Sequence, residues 1–188
     1  MYKNIVLCVS LIFNINCTGK TQYENFPELI FRNNEDLVKT NIQFSSYNIR
    51  LIKTFNPIAQ KSFDVIKNKV DIDTLSYFKK NLISGFTDSS KTSFMISIIN
   101  QKNIINRLDQ EFFKYLNEFN DEVKKTYYTL NGIKIIQYQI INTGYVNLKL
   151  FIIDSSDKNY LLDYIIPKAY FNKYIRFIEA SLSTLTKG

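Results

Sequence analysis

The 188-residue chain contains no histidine and no tryptophan, and only two cysteines, three prolines and five glycines. Each shortage removes a class of chemistry. Without histidine there is no side chain whose ordinary pKa lies near neutrality. There is equally no Ser-His-Asp or Cys-His relay and no imidazole ligand for zinc or iron. The glycines, at positions 19, 85, 132, 144 and 188, stand too far apart to cradle a phosphate, and no G-x-S-x-G, P-loop or G-x-G-x-x-G is present. Scarce Gly and Pro also exclude a linker-dominated or low-complexity chain. What the sequence has instead is apolar mass: 45% hydrophobic residues, with 13 Tyr and 15 Phe. That is the composition of a packed domain, not of a disordered one.

The net charge is +7, and removal of residues 1–16 would lower it by one, through Lys3. A basic surface is drawn to anionic partners, but these lysines are scattered and form no run of five or six. They read as solvated faces. No nucleic-acid partner is expected.

The first 17 residues have their own logic. Lys3 supplies a positive start, and Ile5 to Phe13 form an uncharged apolar run of nine residues that ends shortly before Cys17. Nine residues fit the apolar region of a signal peptide and are about half of what a membrane-spanning helix needs. The segment resembles a bacterial lipoprotein signal, in which the thiol of a cysteine is acylated and the chain is cut before it. The tetrapeptide Asn14-Ile15-Asn16-Cys17 keeps the cysteine and departs from the usual pattern at Asn16. An ordinary cleaved secretion signal and a first buried strand are the competing readings. The lipoprotein reading also accounts for the thiols, since Cys8 would leave with the leader and Cys17 would carry lipid. The mature domain would then hold no disulfide, zinc-thiolate or nucleophilic cysteine. The resemblance implies a signal peptide at 1–16, lipidation at Cys17, and a location in the cell envelope, anchored to a membrane. Residues 17–40 read as a tether and 41–188 as one domain. Within the tether, Phe26-Pro27-Glu28-Leu29-Ile30-Phe31 is apolar enough to dock on the domain as a short helical turn.

Alternation over Asn41–Phe55 predicts one or two strands with a bend at Ser45-Ser46, closed by Pro57. Phe63, Val65, Val70 and Ile72 suggest a further strand. Leu75, Phe78, Leu82 and Ile83 fall at helical spacing, with Asp73 or Thr74 as N-cap and Gly85 as the stop. Ser93–Ile99 reads as a strand. Ile104, Ile105, Leu108, Phe112, Leu116, Phe119 and Val123 predict an amphipathic helix of about five turns. Next, Asn131-Gly132 marks a type I′ hairpin, because both of its central residues need positive φ. With turns at Asn142-Thr143-Gly144 and Asp154–Lys158, it predicts a four-strand antiparallel meander. Pro167 opens a terminal helix whose stripe is Tyr170, Phe171, Tyr174, Ile175, Ile178 and Leu182. Hairpin-joined strands with intervening helices indicate an α+β fold, an antiparallel sheet covered by helices.

The run Leu130-Asn131-Gly132-Ile133-Lys134, the strand Asn159-Tyr160-Leu161-Leu162-Asp163-Tyr164 and the helix end Ile178-Glu179-Ala180-Ser181-Leu182 resemble the Mog1/PsbP-like domains. The similarity is concentrated in residues 125–185. It implies a curved antiparallel sheet between helices, an α/β/α sandwich, serving as a binding or accessory module. No functional residue transfers with it, because the matching positions are turns and core.

Acid pairs are the remaining chemistry. Asp71 and Asp73 would lie on one side of a strand, and Asp154 and Asp157 bracket a hairpin; strand-end, capping and turn roles explain all four. We therefore expect no enzyme, no cofactor and no metal. The positional expectation is an aromatic sheet face for a partner, built from Tyr127, Tyr138, Tyr145, Tyr160 and Tyr164. The functional expectation is a membrane-anchored, non-enzymatic binding module for another envelope or secreted protein. An immunity protein against an exported toxin and a small-ligand carrier are the alternatives.

Overall fold

The computed structural model describes residues 26–72, 78–100, 104–153 and 158–188. In chain order the strands and helices are β1 (Val38–Phe44), β2 (Tyr47–Ile52), β3 (Asn56–Pro57), α1 (Gln60–Ile72), β4 (Lys80–Thr87) and β5 (Ser93–Ile99). A composite helix follows, here α2, made of Ile104–Asn106, a π-helical stretch Arg107–Phe112, and Phe113–Phe119. Then come β6 (Glu122–Leu130), β7 (Ile133–Ile141), β8 (Tyr145–Ile153), β9 (Asn159–Pro167), α3 (Phe171–Leu182) and β10 (Thr186–Lys187). Seven strands form one antiparallel sheet in the order β3-β4-β5-β9-β8-β7-β6, and β1-β2-β10 form a second, small one.

The four-strand meander β6–β9 is as the turn chemistry predicts. Asn131 and Gly132 take φ of 51° and 76°, the pair of left-handed residues that a two-residue hairpin matched to strand twist requires. Because the central strands are covered on both faces, both parities of their residues are apolar. The sheet therefore has two cores. On one face α3 and the β1–β2 hairpin cover Phe94, Ile135, Leu148, Leu150, Leu162 and Tyr164. On the other, α2 and Phe78 cover Ile99, Ile136, Tyr138, Ile140, Phe151 and Leu161. The fold is α+β, an antiparallel sheet between helices.

Several sequence expectations are corrected. Residues 63–72 are not a strand but belong to α1. The half-buried Phe63 and Ile66 are three residues apart, as on one helical face, whereas Val65, the residue that made the segment look alternating, is exposed. Asp71 consequently sits in a helix and not on an extended strand. Conversely, Leu82 and Ile83 do not continue a helix to Gly85; they lie in β4, with Leu82 buried and Ile83 exposed. The seven residue pairs that β4 makes with β5 outweigh a weak local helical pattern; the partner strand decides. The capping pair Asp73-Thr74 lies outside the described residues, as do Asp154 and Asp157. The third correction concerns α2, which ends at Phe119, leaving Val123 in β6.

Gly85 therefore does not cap a helix. A Cβ there would come within 3.0 Å of Ile58 Cδ1 and 3.2 Å of the Phe63 ring. The glycine lets α1 lie close on β4. Gly85→Ala should destabilise the protein by about 1–3 kcal/mol through overpacking, read as a lower denaturation midpoint with unchanged slope. No change in midpoint would mean that α1 is free to lift off.

The first described residues also pack. Leu29 N–H donates to the Thr129 carbonyl at 2.8 Å and Thr129 N–H to the Pro27 carbonyl at 2.9 Å, a short parallel bridge on the outer edge of β6. Leu29 and Phe31 pack on the core. The Phe26–Phe31 stretch thus docks in an extended form, not as a helical turn.

Candidate functional site

Strand parity divides the five tyrosines expected to form one surface. Tyr138 faces Lys149 across the β7–β8 pair and Tyr127 faces Ile136 across β6–β7, which puts Tyr127, Tyr138 and Tyr145 on the α2 face. Tyr160 and Tyr164 point to the opposite face, beneath α3 and the hairpin. Tyr164 stacks on Phe94 at 4.4 Å between ring centroids, and burial pushes its hydroxyl well above the ordinary tyrosine range. Tyr160 packs edge-on against Phe44 and Tyr47. These two rings and Tyr138 are core, so the accessible aromatic surface narrows to Tyr127, which is half-buried, and Tyr145, which is 44% exposed.

The helix α2 supplies rings that the strand pattern did not suggest. Its buried residues Ile104, Leu108, Phe112 and Leu116 repeat every four positions. On an α-helix that spacing drifts by about 40° at each step. A π turn is wider, and the π-helical stretch Arg107–Phe112 falls where it keeps Leu108 and Phe112 over the sheet. The buried Tyr138 hydroxyl donates to the Leu108 carbonyl at 2.5 Å, satisfying a backbone group within that turn. By the end of α2, Phe119 has rotated out and is 70% exposed.

Along α2, β6 and β7 the surface carries aromatic and basic side chains. Tyr115 lies 5.0 Å from Phe119, and Phe26 meets Tyr127 edge-on at 5.8 Å. Lys125 stands over the rings of Phe113 and Tyr127 at 4.6 and 5.2 Å, and Lys134 over Phe26 at 5.7 Å. Such placements hold a cation beside apolar rings at the water boundary.

A polar band crosses the middle of the same sheet face. The register aligns Gly85, Met95, Asp163, Lys149, Tyr138 and Lys125 in one transverse row from β4 to β6. Lys149 Nζ donates to Asp163 Oδ2 at 2.6 Å, and the two side chains are only 15% and 12% exposed. Asn147, two residues before Lys149 on β8, completes the group. Nothing in the sequence marked it, because Asp163 and Lys149 lie in two separate strands.

A separate polar cluster at the β4–β5 turn serves structure. Asp88 accepts from Ser90 Oγ at 2.7 Å, from Ser90 N–H at 2.9 Å, from Thr54 Oγ1 at 3.2 Å, and from the Tyr174 hydroxyl of α3. Burial works to raise the Asp88 carboxyl, but the combined hydrogen bonds prevail and hold it below 3.8. A carboxylate whose folded pKa is depressed stabilises the fold above its unfolded pKa and loses that contribution as pH falls through the folded value. Asp88→Asn should therefore destabilise the protein at pH 6 and have progressively less effect below pH 3.8, measured as denaturation midpoints of both proteins across pH. An equal difference at pH 6 and at the acid end would refute the assignment.

Among the described residues, no three Cys, Asp or Glu side chains gather as a metal site, and no helix is long and apolar enough to cross a membrane. Cys17 lies outside the described residues.

No family model matches the chain, and no curated protein matches it. Among solved structures, the chain is similar to the solution structure of cyanobacterial PsbP (CyanoP) from Synechocystis sp. PCC 6803, with 8% sequence identity over 90% of this chain and 98% of that one and a TM-score of 0.47.

Proposed function

We propose that this protein is a lipid-anchored, non-enzymatic accessory protein of the bacterial cell envelope that binds another envelope or secreted protein. The observation that carries the binding reading is Phe119. A large ring 70% exposed at a helix end, beside Tyr115 and on the helix whose Phe113 lies under Lys125, has the make-up of an interface anchor. Aromatic side chains are enriched in protein–protein interfaces, where a few residues carry most of the binding energy. Support for the anchor comes from the leader: Lys3, the apolar run Ile5–Phe13, and Cys17. Two acyl chains at Cys17 would hold the domain stably at a membrane, since each buried CH₂ contributes about 0.8 kcal/mol.

Both parts are open to direct test. The wild-type chain should incorporate radioactive fatty acid and the Cys17→Ala variant should not; equal labelling would sink the anchor. Crosslinking in native membranes, followed by purification and mass spectrometry, should recover one dominant envelope protein. Phe119→Ala should reduce that recovery more than tenfold, a loss of the size seen at interface anchors, while leaving the denaturation midpoint within error. Unchanged recovery would remove Phe119 from the interface.

A further inference from the structure

The polar band on the sheet carries two unsatisfied groups. Asp163 and Asn147 are each 8% exposed, and Asp163 Oδ1 and Asn147 Oδ1 are buried with no hydrogen-bond partner among the described residues. Buried polar atoms are almost always paired, because a lost hydrogen bond costs about 1–3 kcal/mol. Lys149 faces Asp163, and Asn147 faces Ile165, so Asn147 is the diagonal neighbour of Asp163 across β8 and β9. Diagonal neighbours on one sheet face lie about 7–8 Å apart, a gap that a small bridging ligand spans.

The chemistry of the group narrows its ligand. Two acceptor oxygens ask for two donated hydrogens, which an anion does not supply. An added cation finds its place taken, since Lys149 Nζ already neutralises Asp163 Oδ2 at 2.6 Å. Lys149 has further protons to give, so the ligand should also accept. A hydroxyl donates once and accepts twice. Two adjacent hydroxyls therefore complement Asp163 Oδ1, Asn147 Oδ1 and Lys149 Nζ together. On the same strand and face, two residues before Asn147, the exposed Tyr145 offers a flat ring to the carbon side of such a ligand. Access requires Lys149, the one long flexible member and itself partly exposed, to turn aside; rotamer changes of this kind are fast.

We propose that Asn147, Lys149 and Asp163, flanked by Tyr145, form a binding site for the vicinal hydroxyls of a saccharide. The site stands independently of the lipid anchor and of the Phe119 surface.

The test is an NMR titration of the full chain in dodecylphosphocholine micelles, a detergent without sugar. The probes are glucose, the trisaccharide maltotriose, cyclohexanol as a ring with a single hydroxyl, and ethylammonium as a donor that cannot accept. Glucose should shift the amide signals of Asn147, Lys149 and Asp163 with a dissociation constant on the order of 1 mM, and cyclohexanol and ethylammonium should not. Tighter binding of maltotriose would identify a glycan chain as the source of the hydroxyls, and equal binding a free sugar. Asp163→Asn, which keeps shape, should weaken glucose about tenfold, the loss of one hydrogen bond to a charged group. Tyr145→Ala, a surface change that the fold tolerates, should weaken it without moving the denaturation midpoint. Absence of shifts at these three residues up to saturating sugar would overturn the proposal. So would equal shifts with cyclohexanol, or binding of ethylammonium alone.

Discussion

Lys149→Met should destabilise the protein by about 3–5 kcal/mol, because it leaves the Asp163 carboxylate buried without its counter-ion. The Lys149–Asp163 contact at 2.6 Å is largely enclosed, with side chains 15% and 12% exposed, so solvent does little to compensate a missing partner. The double variant Lys149→Met/Asp163→Leu should recover most of that loss or exceed wild-type stability. Removing both charges abolishes the desolvation penalty that each carries, and apolar side chains of similar volume suit the neighbouring core. Urea denaturation of wild type, both single variants and the double variant gives the coupling energy directly. A double variant as unstable as the worse single one would mean that the pair is held by something other than its own attraction. Should the double variant be stable, the sheet retains a pair it does not need for folding, which is the pattern expected where the charges serve recognition.

Phe151→Ala should cost about 3–5 kcal/mol, the range for emptying a buried aromatic site. Its ring is the hub of the α2-face core, with centroids 5.9 Å from Phe78, 5.7 Å from Phe112 and 5.8 Å from Tyr138, all edge-on. The loss should fall on α2 before the meander. Removal of the ring loosens Phe112, which lies in the π-helical stretch, while β7, β8 and β9 stay paired through their ladders. Hydrogen exchange resolves the two: amides of residues 107–119 should lose protection more than those of 135–152. Uniform loss across both would show that the helix and the sheet unfold as one unit.

The two variants probe neighbouring positions of β8 on one sheet face, and neither position's role could be read from local pattern. The meander announces itself because its signal is local: Asn131-Gly132 demands a two-residue turn whatever else the chain does, and alternation in β7 and β8 extends from it. The terminal helix is equally local, with Tyr174, Ile178 and Leu182 buried along one side, although Pro167 closes β9 rather than opening the helix at Phe171. The errors arose where two periods compete within a few residues. Phe63 and Val65 alternate, yet Phe63 with Ile66 also marks a helix. Leu82 and Ile83 extend a helical stripe until β5 pairs with Leu82 and Ser84, on either side of an irregularity at Ile83. In such segments the energy that decides comes from a distant partner.

The polar band was illegible for a related reason. Asp163 sits in β9, Lys149 in β8 and Met95 in β5, and only the strand order β5-β9-β8 puts them side by side. The crossover that inserts β9 between β5 and β8 cannot be read from spacing. The tyrosine surface suffered from a different limit. A central strand packed on both faces buries both parities, so an aromatic at Tyr138, Tyr160 or Tyr164 looks the same in sequence whether it meets solvent or a helix.

By itself the sequence determined which chemistry is missing, that the C-terminal third is a hairpin meander closed by a helix, and that the chain is an antiparallel α+β domain. Those properties follow from residue inventory and from contacts between near neighbours, where backbone sterics act without help. Tertiary structure alone decided which of the tyrosines are core, that Phe119 turns outward, and that Lys149 and Asp163 meet as an enclosed pair with Asn147 on the same sheet face. Burial and cross-strand neighbourhood depend on how strands far apart in the chain are ordered, and that order is fixed by packing the whole sheet at once.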